Sequence, residues 1–250
     1  MDFDQADFNE FARVRTVVSV FPEERELKSG RKSRWYVNWR DVISNTFDLE
    51  TVARYILDFV KKTTLEPDCF IGVPEGATKL GFMTNYFRFR EGLSTPFEHI
   101  LPMFRVKPKT HGDPRDRYFV GSPKGKVIIL EDVTTIGLSL LERIAELREL
   151  EDANVIAAIS LTNRMELTPI PGIDEQKIVD SYAVVFERAT GKVYDRAISV
   201  KEAISYTGIP FYWLSNGPDL LKQIDIPDVI AKKIEEEFKR YGIQQMRLRK

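Results

Sequence analysis

The fold of this protein is decided by a strand-to-helix junction at residues 126–139, KVIILEDVTTIGLS. The apolar run at 127–130 predicts a short buried strand, and two carboxylates, Glu131 and Asp132, follow it at once. A helical pattern then begins, in which apolar residues recur every three or four positions: Leu141, Ile144 and Leu147. We therefore expect the two acids on a turn that joins a core strand to a helix.

Short apolar runs and helical patterns alternate along the rest of the chain. Further strands are predicted at 35–37, 69–73, 100–106, 155–161, 182–186 and 210–214. Further helices are predicted near the N-terminus, at 51–60 and at 226–242. Strands that alternate with helices are typical of an α/β fold with a central, mainly parallel sheet flanked by helices.

The composition is that of an ordinary globular protein, with 43% hydrophobic and 30% charged residues in a chain of 250. The 37 Lys and Arg residues nearly balance the 38 Asp and Glu residues, so bulk charge favours neither a nucleic-acid partner nor a membrane partner. A single cysteine, Cys69, is typical of a reducing compartment. The acidic N-terminus lacks a signal-peptide pattern, so we expect a cytoplasmic protein.

The chemistry of the junction at 126–139 predicts a sugar-phosphate site. In open α/β sheets ligands bind beyond the carboxyl ends of the strands, where a helix N-terminus offers free N–H groups to an anion. The loop containing Thr135, Gly137 and Ser139 supplies donors for a phosphate, while ionised Glu131 and Asp132 accept hydrogen bonds from ribose hydroxyls. The alternative is a solvated turn capped by Thr or Ser.

A second segment, KPKTHGDPRDR at 107–117, is rich in Pro and charge and poor in apolar residues. It predicts a mobile basic loop, which can close over a polyphosphate and place cations against developing negative charge. The alternative is a solvated basic loop. No Cys/His cluster or P-loop spacing occurs, so we predict no metal bound directly by side chains.

The junction resembles the phosphoribosyl diphosphate motif of type I phosphoribosyltransferases: an apolar strand, two acids and a Thr-Thr-Gly-Gly-Ser loop. The matching residues are Glu131, Asp132, Thr135, Gly137 and Ser139. The departures are Glu131 for the usual Asp, Ile136 for the second Thr and Leu138 for the second Gly. The resemblance implies that the whole segment binds phosphoribosyl diphosphate: Glu131, Asp132, Val133, Thr134, Thr135, Ile136, Gly137, Leu138 and Ser139.

The basic loop resembles the catalytic loop of the orotate phosphoribosyltransferases, in which Arg, Lys and His-Gly recur in this order. The matching residues are Arg105, Lys109, His111 and Gly112. The resemblance implies that Arg105, Lys109 and His111 bind phosphoribosyl diphosphate and are catalytic, together with Asp132.

The stretch LKSGRKSRWYVNWR at 27–40 resembles an N-terminal segment of the same family. The resemblance places Lys28 beside both the base and the diphosphate, and Tyr36 and Val37 around the pyrimidine ring. A flat anionic base needs a cation for its carboxylate and an apolar or aromatic wall for its face. The alternative is a basic turn that leads into a strand with core aromatic residues.

Two weaker matches complete the expected site. Arg164 resembles the family's Arg that binds the orotate carboxylate, and Thr135 is expected to contact the base as well. The turn GVPEGA at 72–77 resembles one that approaches the diphosphate through its backbone, where some family members carry a Lys that this sequence lacks.

The resemblance to orotate phosphoribosyltransferases implies a type I phosphoribosyltransferase fold over residues 1–225, with a hood largely from residues 1–45. Residues 226–250 would be a C-terminal helical extension, either docked or a basic binding tail. The implied reaction joins orotate to 5-phosphoribosyl 1-diphosphate, giving orotidine 5′-monophosphate and diphosphate in pyrimidine biosynthesis. Mg²⁺ is held mainly by substrate, and a homodimer is implied, with the loop at 105–117 reaching the partner's site.

Two alternatives stay open on the sequence. One is a phosphoribosyltransferase for another base, such as uracil or a purine. The other is a nucleotide-sensing, RNA-binding regulator on the same fold, which would use the basic C-terminal residues.

Overall fold

A computed structural model describes residues 2–92, 100–111 and 117–248. The strands are β1 Val18–Glu26, β2 Lys32–Val37, β3 Cys69–Gly72, β4 Met103–Phe104, β5 Phe119–Val120, β6 Gly125–Thr134, β7 Ala153–Asn163 and β8 Phe211–Asn216. The helices are α1 Gln5–Val14, α2 Trp39–Val42, α3 Thr46–Lys62, α4 Thr78–Arg90, α5 Leu138–Leu147, α6 Gln176–Thr190, α7 Val200–Ser205, α8 Gly217–Leu221 and α9 Asp228–Tyr241. In this part of the chain no helix has the length and apolar character that crossing a membrane requires.

The central sheet has the strand order β3-β6-β7-β8, and every neighbouring pair is parallel. The hairpin of β1 and β2 and the short ribbon of β4 and β5 are separate antiparallel pairs. This architecture confirms the predicted α/β class with a parallel central sheet.

Alternate side chains of β6 point to two separate cores. Ile128 and Leu130 pack with α1, α3, the β1–β2 hairpin and α9 on one face of the sheet. Val127 and Ile129 pack with α5, α6 and α7 on the other face. Because β6 is covered on both faces it is a continuous apolar run rather than an alternating one, as expected for a strand inside a parallel sheet.

Strand β6 is longer than the sequence predicted. The prediction that the two acids lie on a turn is wrong. The strand continues through both acids to Thr134, because the longer strand β7 pairs with it over its whole length. Glu131 lies opposite Ser160, and Thr134 lies opposite Asn163. The two acids are therefore held by a rigid sheet rather than by a turn.

Two other strand predictions also differ from the structure. Residues 182–186 lie inside helix α6, whose buried residues Val179, Tyr182, Phe186 and Ala189 recur every three or four positions. That spacing forms one helical stripe, and it prevails over the local strand preference of Val and Tyr. The strand predicted at 100–106 is limited to Met103–Phe104.

The C-terminal helix α9 packs on the β1–β2 hairpin. Ile234 and Phe238 are buried in the first core, and the Phe238 ring stacks on Trp35 at 5.8 Å. Glu237 accepts hydrogen bonds from the Ser33 hydroxyl and the Arg34 backbone N–H, both at 2.8 Å. The helix thus covers the strand that carries Tyr36 and Val37.

Glu146, on α5, gives the stability of this fold a pH dependence. It is 4% exposed, and burial raises its pKa to about 7 although Arg143 and Arg188 lower it. Arg143 Nη1 lies 2.8 Å from Glu146 Oε2, but without hydrogen-bond geometry. The folded state therefore binds a proton that the unfolded chain releases near 4.5, so stability falls as pH rises from 4.5 to about 7.

We expect Glu146→Gln to remove this decrease of stability with rising pH, because the glutamine amide does not ionise. The free energy of unfolding of the variant, relative to the unsubstituted protein, should improve by roughly 1–2 kcal/mol between about pH 5 and about pH 8. Urea unfolding at the two pH values measures the change. Glu187→Gln, at an exposed carboxylate on α6, is the control, and a pH-independent difference for Glu146→Gln would contradict the assignment.

Candidate active site

The junction between β6 and α5 is built to bring the acids, a glycine and a helix N-terminus together. Gly137 caps α5 with φ of 80°, a conformation that favours glycine. A Cβ at this position would lie 2.6 Å from Val200 Cγ1, so the backbone there is also sterically restricted to glycine. The first N–H groups of α5 therefore lie just beyond the end of β6, where an anion can accept from them.

Ile136 and Leu138, the two apolar departures from the motif, pack in or against the hydrophobic core. Ile136 is 4% exposed and packs in the second core, and Leu138 packs partly against the same cluster. A threonine at 136 would place a hydroxyl in this apolar cluster. The hydrogen-bond donors that the loop still offers to an anion are the backbone N–H groups and the half-buried Thr135 and Ser139.

The acid pair is electrostatically asymmetric. Glu131 and Asp132 are 7% and 6% exposed. Burial, and then the neighbouring Asp132 charge, raise the pKa of Glu131 well above its usual range, while Lys28 lowers it. Asp132 instead has a cation beside it, since Arg40 Nε lies 3.3 Å from Asp132 Oδ2. The two acids therefore differ in their surroundings: burial disfavours the ionised form of Glu131, whereas Asp132 has a guanidinium beside it.

Lys28 is brought to this junction from the N-terminal hairpin. Its Nζ lies 3.4 Å from Ser139 Oγ, although the two residues are 111 positions apart. The turn that carries it is anchored by Arg31, which is 3% exposed and forms ion pairs with Glu166 at 3.0 Å and Asp174 at 2.8 Å. This buried network holds the turn that places the Lys28 ammonium beside the N-terminus of α5.

The turn after β3 reaches the same carboxylate through its backbone. A Cβ on Gly76 would lie 2.3 Å from Asp132 Oδ2, so only glycine allows this approach without moving the acid. Val73 N donates to Leu130 O at 2.8 Å, which continues the pairing of β3 with β6 into the turn.

The residues predicted to bind orotate are not all open to a ligand. Tyr36 is 37% exposed, whereas Val37 is 3% exposed and Arg164 is 2% exposed. Arg164 Nε donates to Glu166 at 2.7 Å, its Nη1 and Nη2 reach Trp35 O and Ser33 Oγ, and its guanidinium lies 3.6 Å from the Trp35 ring. Contact of Val37 and Arg164 with a base stays a prediction.

The predicted catalytic loop rises from the β4–β5 ribbon. Arg105 N donates to Tyr118 O at 2.7 Å, and Lys109 N donates to Arg117 O at 2.8 Å. Lys109 is half-buried and His111 is exposed. Gly112 and the rest of the loop up to 116 lie outside the described residues, so the approach of these cations to the acid pair stays a prediction.

Sequence reasoning missed Arg40, although the residue lies inside the stretch at 27–40 that it used. Arg40 lies three positions after the end of β2 and is the second residue of the short helix α2. A cation so close to a strand predicted to line the base was a signal for this residue. Its distance from Asp132, however, is set by tertiary structure. Trp35, the ring under Arg164, was likewise not singled out.

Comparison with known proteins places these features in a family. No family model matches the chain. The chain is 30% identical over 142 residues to the orotate phosphoribosyltransferase of Pyrococcus horikoshii, covering 56% of this chain and 70% of that protein. It is 29% identical over 140 residues to the orotate phosphoribosyltransferase of Pyrococcus abyssi, covering 56% and 71%.

The structure gives a similar result over more of the chain. It superposes on the crystal structure of orotate phosphoribosyltransferase from Francisella tularensis with a TM-score of 0.61 and 20% identity, covering 94% of this chain and 99% of that one. This likeness shows the type I phosphoribosyltransferase fold, as the resemblance implied. Together with the identity to the Pyrococcus protein over most of its length, it establishes that the chain belongs to the orotate phosphoribosyltransferase family.

Proposed function

We propose that this protein transfers the phosphoribosyl group of 5-phosphoribosyl 1-diphosphate to orotate, releasing diphosphate. The observation that carries the proposal is the junction of β6 and α5. There a buried acid pair, a helix N-terminus capped by Gly137 and the ammonium of Lys28 meet within one small region.

The junction supplies the two ends of a ribose 5-phosphate site. The N–H groups at the start of α5, with Thr135 and Ser139, bind the 5-phosphate. The carboxyl oxygens of Asp132 and Glu131 accept hydrogen bonds from the ribose hydroxyls. Binding energy from the phosphate and hydroxyls then fixes C1 of the ribose for attack by the base nitrogen.

The reaction itself is a displacement at C1. As the bond from C1 to the diphosphate oxygen breaks, positive charge develops on the sugar and negative charge on the leaving group. Asp132 offsets charge on the sugar, and Lys109, His111 and Arg105 stabilise the diphosphate when the loop closes.

Mg²⁺ suits the donor set of this site. Within the described ranges no cluster of three or more His, Cys, Asp or Glu side chains is arranged to hold a metal ion. Two adjacent carboxylates beside a diphosphate fit an ion that takes most of its ligands from substrate oxygens, as Mg²⁺ commonly does. The ion would be held mainly by diphosphate and ribose oxygens, with the Asp132 carboxylate beside the ribose, and it would neutralise charge on the diphosphate.

The proposed homodimer has support at the base of the catalytic loop. Val120 on β5 is 42% exposed, and Val106 and Leu101, which flank β4 in the chain, are 61% and 52% exposed. Apolar side chains concentrated on one surface element are typical of an interface. Docking of this ribbon on a second copy is how the loop would reach the partner's site.

The deciding experiment is an assay of diphosphate release with phosphoribosyl diphosphate and orotate, with and without Mg²⁺. Orotate-dependent release that needs Mg²⁺ is expected. Uracil and hypoxanthine serve as comparison bases, and turnover with either one but not with orotate would contradict the proposal. So would salt-sensitive RNA binding by a protein that turns over none of the three bases.

A further inference from the structure

Arg40 is a cation beside the acid pair that the sequence did not predict there. It comes from helix α2, yet its Nε lies 3.3 Å from Oδ2 of Asp132, the carboxylate proposed to bind the ribose. Asp132 is 8% exposed at its side chain, whereas the Arg40 side chain is 53% exposed. The guanidinium therefore lies with one edge on a buried acid and the other toward solvent.

The electrostatic surroundings keep this guanidinium charged. Burial lowers the pKa of Arg40, but Asp132, Tyr36 and Glu131 together outweigh that effect and raise it. Nε is the nitrogen that contacts Asp132, and the hydrogen bonds of the described residues leave Nη1 and Nη2 without a partner inside the protein. Two planar N–H donors on one side match the geometry of two phosphate oxygens.

Arg40 also shares its acid with the turn after β3. Asp132 Oδ2 is the atom nearest to Arg40, and it is also the atom that a Cβ on Gly76 would meet at 2.3 Å. Gly76 brings backbone but no cation to this corner. With the 5-phosphate proposed at Gly137 and the ribose at Asp132, the group on C1 would lie near the residues that surround Asp132. Arg40 and Gly76 are two of these residues.

We propose that Arg40 is a substrate-binding residue that donates Nη1 and Nη2 to the diphosphate of phosphoribosyl diphosphate, while its Nε stays on Asp132. It supplies to this corner the cation that the turn containing Gly76 lacks. By holding both the ribose acid and the leaving group, it sets the distance between the sugar and the diphosphate. This inference rests on the proposed function, because it assigns a ligand of that same site.

The test is calorimetric titration with two fragments of the substrate, inorganic diphosphate with Mg²⁺ and ribose 5-phosphate. The proteins are the unsubstituted chain, Arg40→Ala, Arg40→Lys and the control Arg13→Ala, whose arginine is exposed and pairs with Glu10. Arg40→Ala is expected to weaken diphosphate binding by roughly 10- to 100-fold. It should change ribose 5-phosphate binding by less than about threefold, because Asp132 is unchanged and an ion pair whose arginine is 53% exposed contributes modestly.

Arg40→Lys should recover only part of the diphosphate affinity, because an ammonium lacks the planar fork. Arg13→Ala should match the unsubstituted protein for both fragments. Equal diphosphate affinity in Arg40→Ala would overturn the proposal. An equal loss for both fragments would also overturn it, since Arg40 would then act only by positioning Asp132. Thermal unfolding of each variant confirms that the titrated protein is folded.

The same experiment separates this inference from the proposed function. If the unsubstituted protein releases diphosphate with orotate while Arg40→Ala binds diphosphate normally, only the role of Arg40 fails. If the unsubstituted protein neither turns over orotate nor binds the two fragments, the proposed function fails, and the role of Arg40 with it.

Discussion

Lys109→Ala is expected to lower kcat by roughly 10²- to 10³-fold, the range seen when one group that stabilises transition-state charge is removed. The proposed role of the Lys109 ammonium is to face the diphosphate as its negative charge grows. That interaction is stronger in the transition state than in the ground state. The loss should therefore appear in kcat more than in the KM for phosphoribosyl diphosphate.

The fold should survive this substitution. Lys109 contributes to the ribbon through its backbone N–H, which donates to Arg117 O at 2.8 Å, and alanine retains that group. Steady-state kinetics with orotate measure the effect. Lys126→Ala is the matched control, because Lys126 is an exposed lysine at the start of β6, the end remote from the acids. A kcat within about twofold of the unsubstituted enzyme would remove Lys109 from the mechanism.

The second large effect is expected at the acid pair. Asp132→Asn should weaken phosphoribosyl diphosphate binding by roughly 10- to 100-fold, because a charged acceptor of ribose hydroxyls becomes a neutral amide. Glu131→Gln should weaken phosphoribosyl diphosphate binding less than Asp132→Asn does. Burial and the Asp132 charge already favour the protonated form of Glu131, which an amide resembles in charge and in its ability to donate.

Calorimetry with phosphoribosyl diphosphate compares the two variants directly. The pair is a close internal control, since both changes are isosteric and lie at adjacent positions of the same strand. Equal affinity of Asp132→Asn and the unsubstituted protein would overturn the ribose assignment. A larger loss in Glu131→Gln than in Asp132→Asn would show that Glu131 binds the ribose as an ionised carboxylate.

Much of the fold could be predicted from local pattern. The apolar run at 127–130 and the helical spacing after Gly137 identify β6 and α5, and the amphipathic pattern after Pro227 identifies α9. These segments were recognisable because the burial periodicity of each agrees with its local propensity. Residues 182–186 were predicted wrongly because a short apolar run with β-branched residues fits a strand and a helical stripe equally well.

The parts of the site that are contiguous in the chain were easier to predict than the residues that come from distant segments. The acids, Gly137 and Ser139 are contiguous in the chain, so the sequence shows that they lie together. Lys28 was linked to them only by family resemblance, and the structure brings its Nζ to Ser139 Oγ. Arg40 was not foreseen, because nothing in the order of residues gives the distance from helix α2 to Asp132.

The sequence by itself determined the α/β class, the core strand at 127–130 with the helix that follows it, and the residue types at the junction that predict a sugar-phosphate site. These follow from periodicity and residue type over short stretches. Only the tertiary structure decided that the acids lie on a strand, that burial raises the pKa of Glu131, and that Arg164 is enclosed by Glu166 and Trp35. Each depends on which distant segments pack against a residue and how much water they exclude, and that information is not local in the chain.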